Sequence, residues 1–201
     1  MLRKTAQLFA GFALLTFVVL YAQNGQQAQA QKRHDMRASP RMTNAQKIAL
    51  AMSAGPTEIA RHAAIMDLTD MSKPQQLRAG TNGWVCYAMI AQPMCLDKQW
   101  QKWAAAWMSK GEVNVDGTGI AYMLRGDTGA SNTDPYATKP AADNQWVVSP
   151  AHIMVLYKDP QMLDAYPTDP KNGGPWVMWK GTPYAHVMVP VSPTKAATMA
   201  K

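Results

Sequence analysis

Only two cysteines, Cys86 and Cys95, occur in this 201-residue chain, within the stretch GWVCYAMIAQPMCLDKQW. A bond between them would close a short loop and pin the end of a predicted strand to the start of a predicted helix. On the chain-entropy model, a loop of this size stabilises a fold by roughly 2 to 3 kcal/mol. The spacing is wider than the C-x-x-C of redox-active pairs, so a structural disulfide is the expected role. That expectation requires an oxidising compartment.

The N-terminus speaks to the compartment. Arg3 and Lys4 precede an apolar run from Leu8 to Tyr21, followed by a glutamine-rich stretch ending Ala28-Gln29-Ala30. This is the order of a secretory signal peptide with a small-residue cleavage site, and the apolar run is shorter than the roughly 20 residues of a spanning helix. We therefore expect a signal over residues 1–30, a basic linker over 31–42, one folded domain over 43–192 and a tail over 193–201. The expected location is the periplasm or the cell exterior, with no transmembrane segment after cleavage.

The formal charge of +7 does not mark a nucleic-acid-binding surface. Lys32, Arg33, Arg37, Arg41 and Lys47 crowd one short stretch, whereas residues 48 to 201 carry 13 basic and 12 acidic side chains, a net of +1. A basic footprint on the fold itself is thus missing. Phe9, Phe12 and Phe17 all lie in the leader, so every aromatic of the mature chain is tryptophan or tyrosine. Such rings combine a large apolar body with a polar handle.

Local patterns give the elements. Thr43 is a suitable N-cap for NAQKIALAMSAGP, which Gly55-Pro56 stops. The second half of TEIARHAAIMDL reads as strand, and QLRAGTNGWVCYAM alternates around a Gly-Thr-Asn-Gly turn. Leu96, Trp100, Trp103 and Trp107 fall on one helical face that ends at Gly111, a stripe suited to packing on a sheet. TGIAYMLRG, QWVVSPAHIMVLY and WVMWKGTPYAHVMVPV read as strands, the last as a hairpin through Lys180-Gly181-Thr182-Pro183, and PQMLDAYP as one helical turn. Together these predict an α+β domain, mainly antiparallel, with two or three helices on one face of the sheet.

Two of the four histidines sit in matching phrases, PAHIMV at 150–155 and YAHVMV at 184–189. Side chains alternate across a strand, so His152 and Met154 share one face, as do His186 and Met188. With residues 153 and 187 opposed in an antiparallel pair, His152 would face Met188 and Met154 would face His186. A parallel pairing would set histidine beside histidine. Imidazole and thioether form a soft ligand set, suited to copper rather than magnesium or calcium. Methionine is also a common core filler, and an uncharged face is equally consistent with packed core or with an organic-ligand cleft. The long polar interval GDTGASNTDPYATKPAADN adds Asp127, Ser131, Asn132, Asp134, Tyr136 and Asp143 as candidate polar contacts, without EF-hand spacing or a nucleophile elbow around Ser131.

The phrases GTNGW, PMCLD, GASNTDPYAT and GGPWVMWKGTPYAH resemble a family of exported bacterial proteins without an assigned activity. The resemblance implies export and a single domain after about residue 45, and carries over no ligand or catalytic residue. Three functional classes follow. The leading one is an exported domain binding a small molecule or metal ion in a cleft lined by His152 and His186, near Asp127, Asn132, Asp134 and Tyr136. The second is a hydrolase with His152 or His186 as general base and Asp127 or Asp134 in support. The third is a structural or interaction protein of the cell envelope.

Overall fold

The computed structural model describes residues 42–191. The expected signal, all but the last residue of the expected linker, and the expected tail lie outside the described residues. Among those described, no helix is long and apolar enough to cross a membrane. The fold is a single α+β domain built on one eight-stranded sheet, mostly antiparallel.

The first helix, α1 (Asn44–Met52), begins where the sequence predicts. The Thr43 side chain accepts from the Gln46 amide while the Gln46 side chain accepts from the Thr43 amide, a reciprocal capping box. A short α2 (Thr57–Ala60) leads to β1 (Ala64–Asp67). β2 (Gln75–Arg78) and β3 (Val85–Ala88) flank the Gly-Thr-Asn-Gly turn but do not pair with each other. β1 lies between them, antiparallel to β2 and parallel to β3. Lys47 of α1 reaches β1, where its Nζ lies 2.5 Å from Asp67.

Cys86 on β3 and Cys95 on β4 (Met94–Leu96) are direct cross-strand partners and form a disulfide with α-carbons 4.0 Å apart. The bond therefore joins two neighbouring strands rather than a strand and a helix start, because β4 runs through Cys95 before the helix begins. That helix, α3 (Lys98–Ser109), is capped by Asp97, whose Oδ1 accepts from the Gln99 and Trp100 amides and whose Oδ2 accepts from the Ile120 amide of β5 (Gly119–Met123). One carboxylate thus caps the helix and fastens it to the sheet. Gly119 permits the approach: a Cβ there would lie 2.8 Å from Cβ of Gln99.

The helices divide between the two faces instead of gathering on one. α3 lays Trp100 and Trp103 on the face that carries Leu96, Ala121, Met154 and Met188. α1 covers the opposite face over Ile65, Cys86 and Cys95. A 3-10 turn (Pro160–Ala165) places Leu163 on Val177 and Val187, farther along that opposite face. Neighbouring residues such as Cys95 and Leu96 serve opposite layers because strand side chains alternate.

The long polar interval contains β6 (Ala130–Ser131), which pairs with β7 (Trp146–Val147) in a separate two-stranded ribbon. β8 (His152–Leu156), β9 (Trp176–Met178) and β10 (His186–Pro190) complete the main sheet in the order β2-β1-β3-β4-β5-β8-β10-β9, with β9 and β10 forming the expected hairpin.

Candidate functional site

The paired phrases form adjacent antiparallel strands, but the register differs from residues 153 and 187 in opposition. Val187 stands opposite Val155, Met188 opposite Met154 and Pro190 opposite His152. The histidines therefore flank a central methionine pair from opposite ends. About four residues of strand rise, roughly 13 Å, separate their rows at 3.3 Å per residue. The outer strands extend the pattern: Met123 of β5 lies opposite His152, and Met178 of β9 lies opposite His186. Each histidine thus has one methionine across from it and another two residues farther along its own strand. The arrangement has an approximate two-fold relation about the Met154–Met188 pair.

This face is closed. His152 is 0% and His186 1% exposed, and Met154 and Met188 are buried with them beneath α3. His152 Nδ1 lies 2.7 Å from the Pro150 carbonyl and His186 Nδ1 2.9 Å from the Tyr184 carbonyl. A carbonyl only accepts, so each Nδ1 carries the proton and each neutral ring has its lone pair on Nε2. Burial lowers both histidine pKa values against the opposing pull of those carbonyl bonds, for His186 to about 4.

The two rings differ in their walls. His186 is enclosed by Trp100, Trp103 and Trp179, its ring near perpendicular to all three at centroid distances of 5.2, 5.6 and 5.1 Å. Trp179 also stacks on Trp103, which stacks on Trp107, which stacks on Tyr136, with interplanar angles of 5°, 6° and 7°. Trp179 holds a left-handed backbone, φ 57°. Its amide donates to the Asn132 carbonyl and its indole N–H to the Ser131 carbonyl, bonds that tie this unfavourable conformation in place. His152 Nε2 and Ser149 Oγ, like the indole N–H groups of Trp100 and Trp103, have no hydrogen-bond partner among the described residues.

The loop residues singled out in the sequence are mostly committed to the backbone. Asp127 accepts from the Gly129 and Ser149 amides, and Asp134 from the Tyr136 amide. Ser131 Oγ accepts from the amides of Thr133 and Asp134. Tyr136, 38% exposed, donates to the Trp107 carbonyl and has Lys110 over its ring. Asn132 is a hub: its amide nitrogen donates to Gln145 Oε1 and the Thr168 carbonyl, and its oxygen accepts from Trp176 Nε1. Among the described residues neither histidine hydrogen-bonds a carboxylate, and each ring is bonded to a backbone carbonyl, so the base–carboxylate pair of the hydrolase reading is not assembled there. The exposed His62 accepts a hydrogen bond from Arg61 Nε at its Nε2.

One open space among the described residues lies beside Asn132. A cleft of about 290 Å³ is lined by Asn132, Thr133, Gln145, Thr168, Val177 and Lys180. Of these, only Asn132 is among the candidate contacts that the sequence suggests. Thr133, Gln145, Thr168 and Lys180 are polar positions and Val177 a buried strand residue, and the β6–β7 ribbon meeting the edge strand β9 brings them together. Among the described residues no three histidine, cysteine, aspartate or glutamate side chains gather to hold a metal ion. Comparison with known proteins finds no matching family model, no similar curated protein and no similar solved structure.

Proposed function

We propose that this chain is an exported domain that binds a small polar molecule carrying a negative group, in the cleft beside Asn132 rather than on the histidine strands. The leader pattern and the paired cysteines support export. The observation that carries the binding reading is the cleft itself, whose 290 Å³ is near the lower end of ordinary small-molecule sites, roughly 300 to 1,000 Å³. Lys180, whose ammonium is ion-paired with Asp164, offers a cation that a bound anion would share with that carboxylate, Thr133, Thr168 and Gln145 offer hydroxyl and amide groups, and Val177 an apolar wall. Asn132 holds the wall in shape, its amide being spent on three internal bonds.

Titration of isotope-labelled protein with small carboxylates, phosphate esters and amino acids tests this reading. Binding should shift the Thr133, Gln145 and Thr168 amide resonances and weaken at least tenfold in Lys180→Met. If no compound moves those resonances, or Lys180→Met binds as well as the parent, the reading fails. The complete burial of both strand histidines then favours a structural protein of the cell envelope.

A further inference from the structure

We propose that His152, Met123 and Met154 form a buried site for a soft monovalent metal ion, Cu(I) in chemical class, independent of the cleft. His152 sits with its Nδ1–H on the Pro150 carbonyl, the arrangement by which a metal-ligating histidine is commonly oriented. Its Nε2 lone pair is fully buried and meets no donor among the described residues. An unpaired acceptor in the interior is costly unless something occupies it.

The register decides what surrounds that lone pair. Met123 is the direct cross-strand partner of His152, and Met154 follows two residues along the same strand. Direct partners have β-carbons about 4.5 to 5.5 Å apart, and same-face neighbours on one strand are about 6.6 Å apart along it, both within reach of a methionine side chain. Both methionines are buried on the imidazole's own face of the sheet. One neutral imidazole with two thioethers, and no carboxylate among the ligands, is a set that favours Cu(I) over zinc, magnesium or calcium. Asp127 lies close enough to act on the ring electrostatically, which favours a cation there. His186 has the same methionine pattern, with Met178 opposite and Met188 two residues on. Its ring is flanked by three near-perpendicular indoles, and the buried unpaired imidazole nitrogen is that of His152, so the site is assigned to His152 alone.

Silver(I), which does not change oxidation state, is the probe. It is added to the mature protein without chelator or thiol, both to the folded chain and during refolding, so that slow entry to a buried site does not hide binding. Native mass spectrometry should show one silver ion per chain. With methyl-labelled methionine, the Met123 and Met154 signals should shift while Met178 stays in place. Met123→Leu/Met154→Leu preserves apolar volume and should lose the adduct, whereas Met178→Leu/Met188→Leu should keep it. No adduct under either protocol, or shifts at methionines other than Met123 and Met154, overturns the proposal. The methyl shifts are read on the unaltered protein and decide the matter even if the double variant does not fold. Lys180→Met leaves this experiment untouched, so failure here and failure of the cleft reading are distinguishable.

Discussion

The imidazole of His186 stands nearly perpendicular to the indole of Trp179, 85° between planes and 5.1 Å between centres. With Trp100 and Trp103 on its other sides, it is a titratable group kept neutral inside an aromatic cage. Its folded pKa of about 4 lies below the ordinary 6.5, so the unfolded chain binds more protons between those values. Stability is therefore full above pH 6.5 and falls as the pH drops toward 4. At pH 5 the loss from this residue is about 2 kcal/mol. Urea unfolding followed by tryptophan fluorescence should show that decline, with burial of His152 adding in the same direction. His186→Gln should flatten it while lowering stability at pH 7.

The cross-strand bond between Cys86 and Cys95 closes a loop with a sequence separation of 9. Cys86→Ala/Cys95→Ala should lower unfolding stability by about 2 to 3 kcal/mol on the chain-entropy model. Denaturant midpoints of the parent with and without reductant should differ by a comparable amount.

Asn132 joins the polar loop, the segment at Thr168 and the edge strand through Trp176. Asn132→Ala leaves the Thr168 carbonyl and the buried Trp176 N–H without these partners. We expect a loss of about 1 to 3 kcal/mol, the cost of stranding the one buried donor, because Thr168 is exposed and its carbonyl can turn to water. The denaturant midpoint reads the loss, and the Trp176 indole N–H resonance should exchange faster with solvent.

Gly129 has φ +116°, and a Cβ there would lie 2.1 Å from Trp146 Nε1. Gly129→Ala combines a strained backbone with a collision between β6 and β7, at a cost of about 2 kcal/mol or more. Loss of the Ser131–Trp146 pairing, read from amide exchange, would accompany it; an unchanged midpoint would contradict the close approach.

The sequence by itself determined the local elements. The Thr43 N-cap started α1, the 3.6-residue tryptophan period placed α3 on a sheet, and strict alternation put each histidine on the same face as its methionine. The unique cysteine pair allowed only one internal bond. What sequence could not decide was register and neighbourhood. A two-residue shift between β8 and β10 leaves every side chain on its original face, so alternation is blind to the difference between residue 153 and residue 155 opposite Val187. Strand order is equally non-local: β1 separates two strands that a turn signal had set side by side. Only the assembled sheet brought Met123 to His152, carried α3 over the histidine face, and opened the cleft at Asn132 instead. Long-range pairing and layer packing set these relations, and no short window of sequence contains both partners.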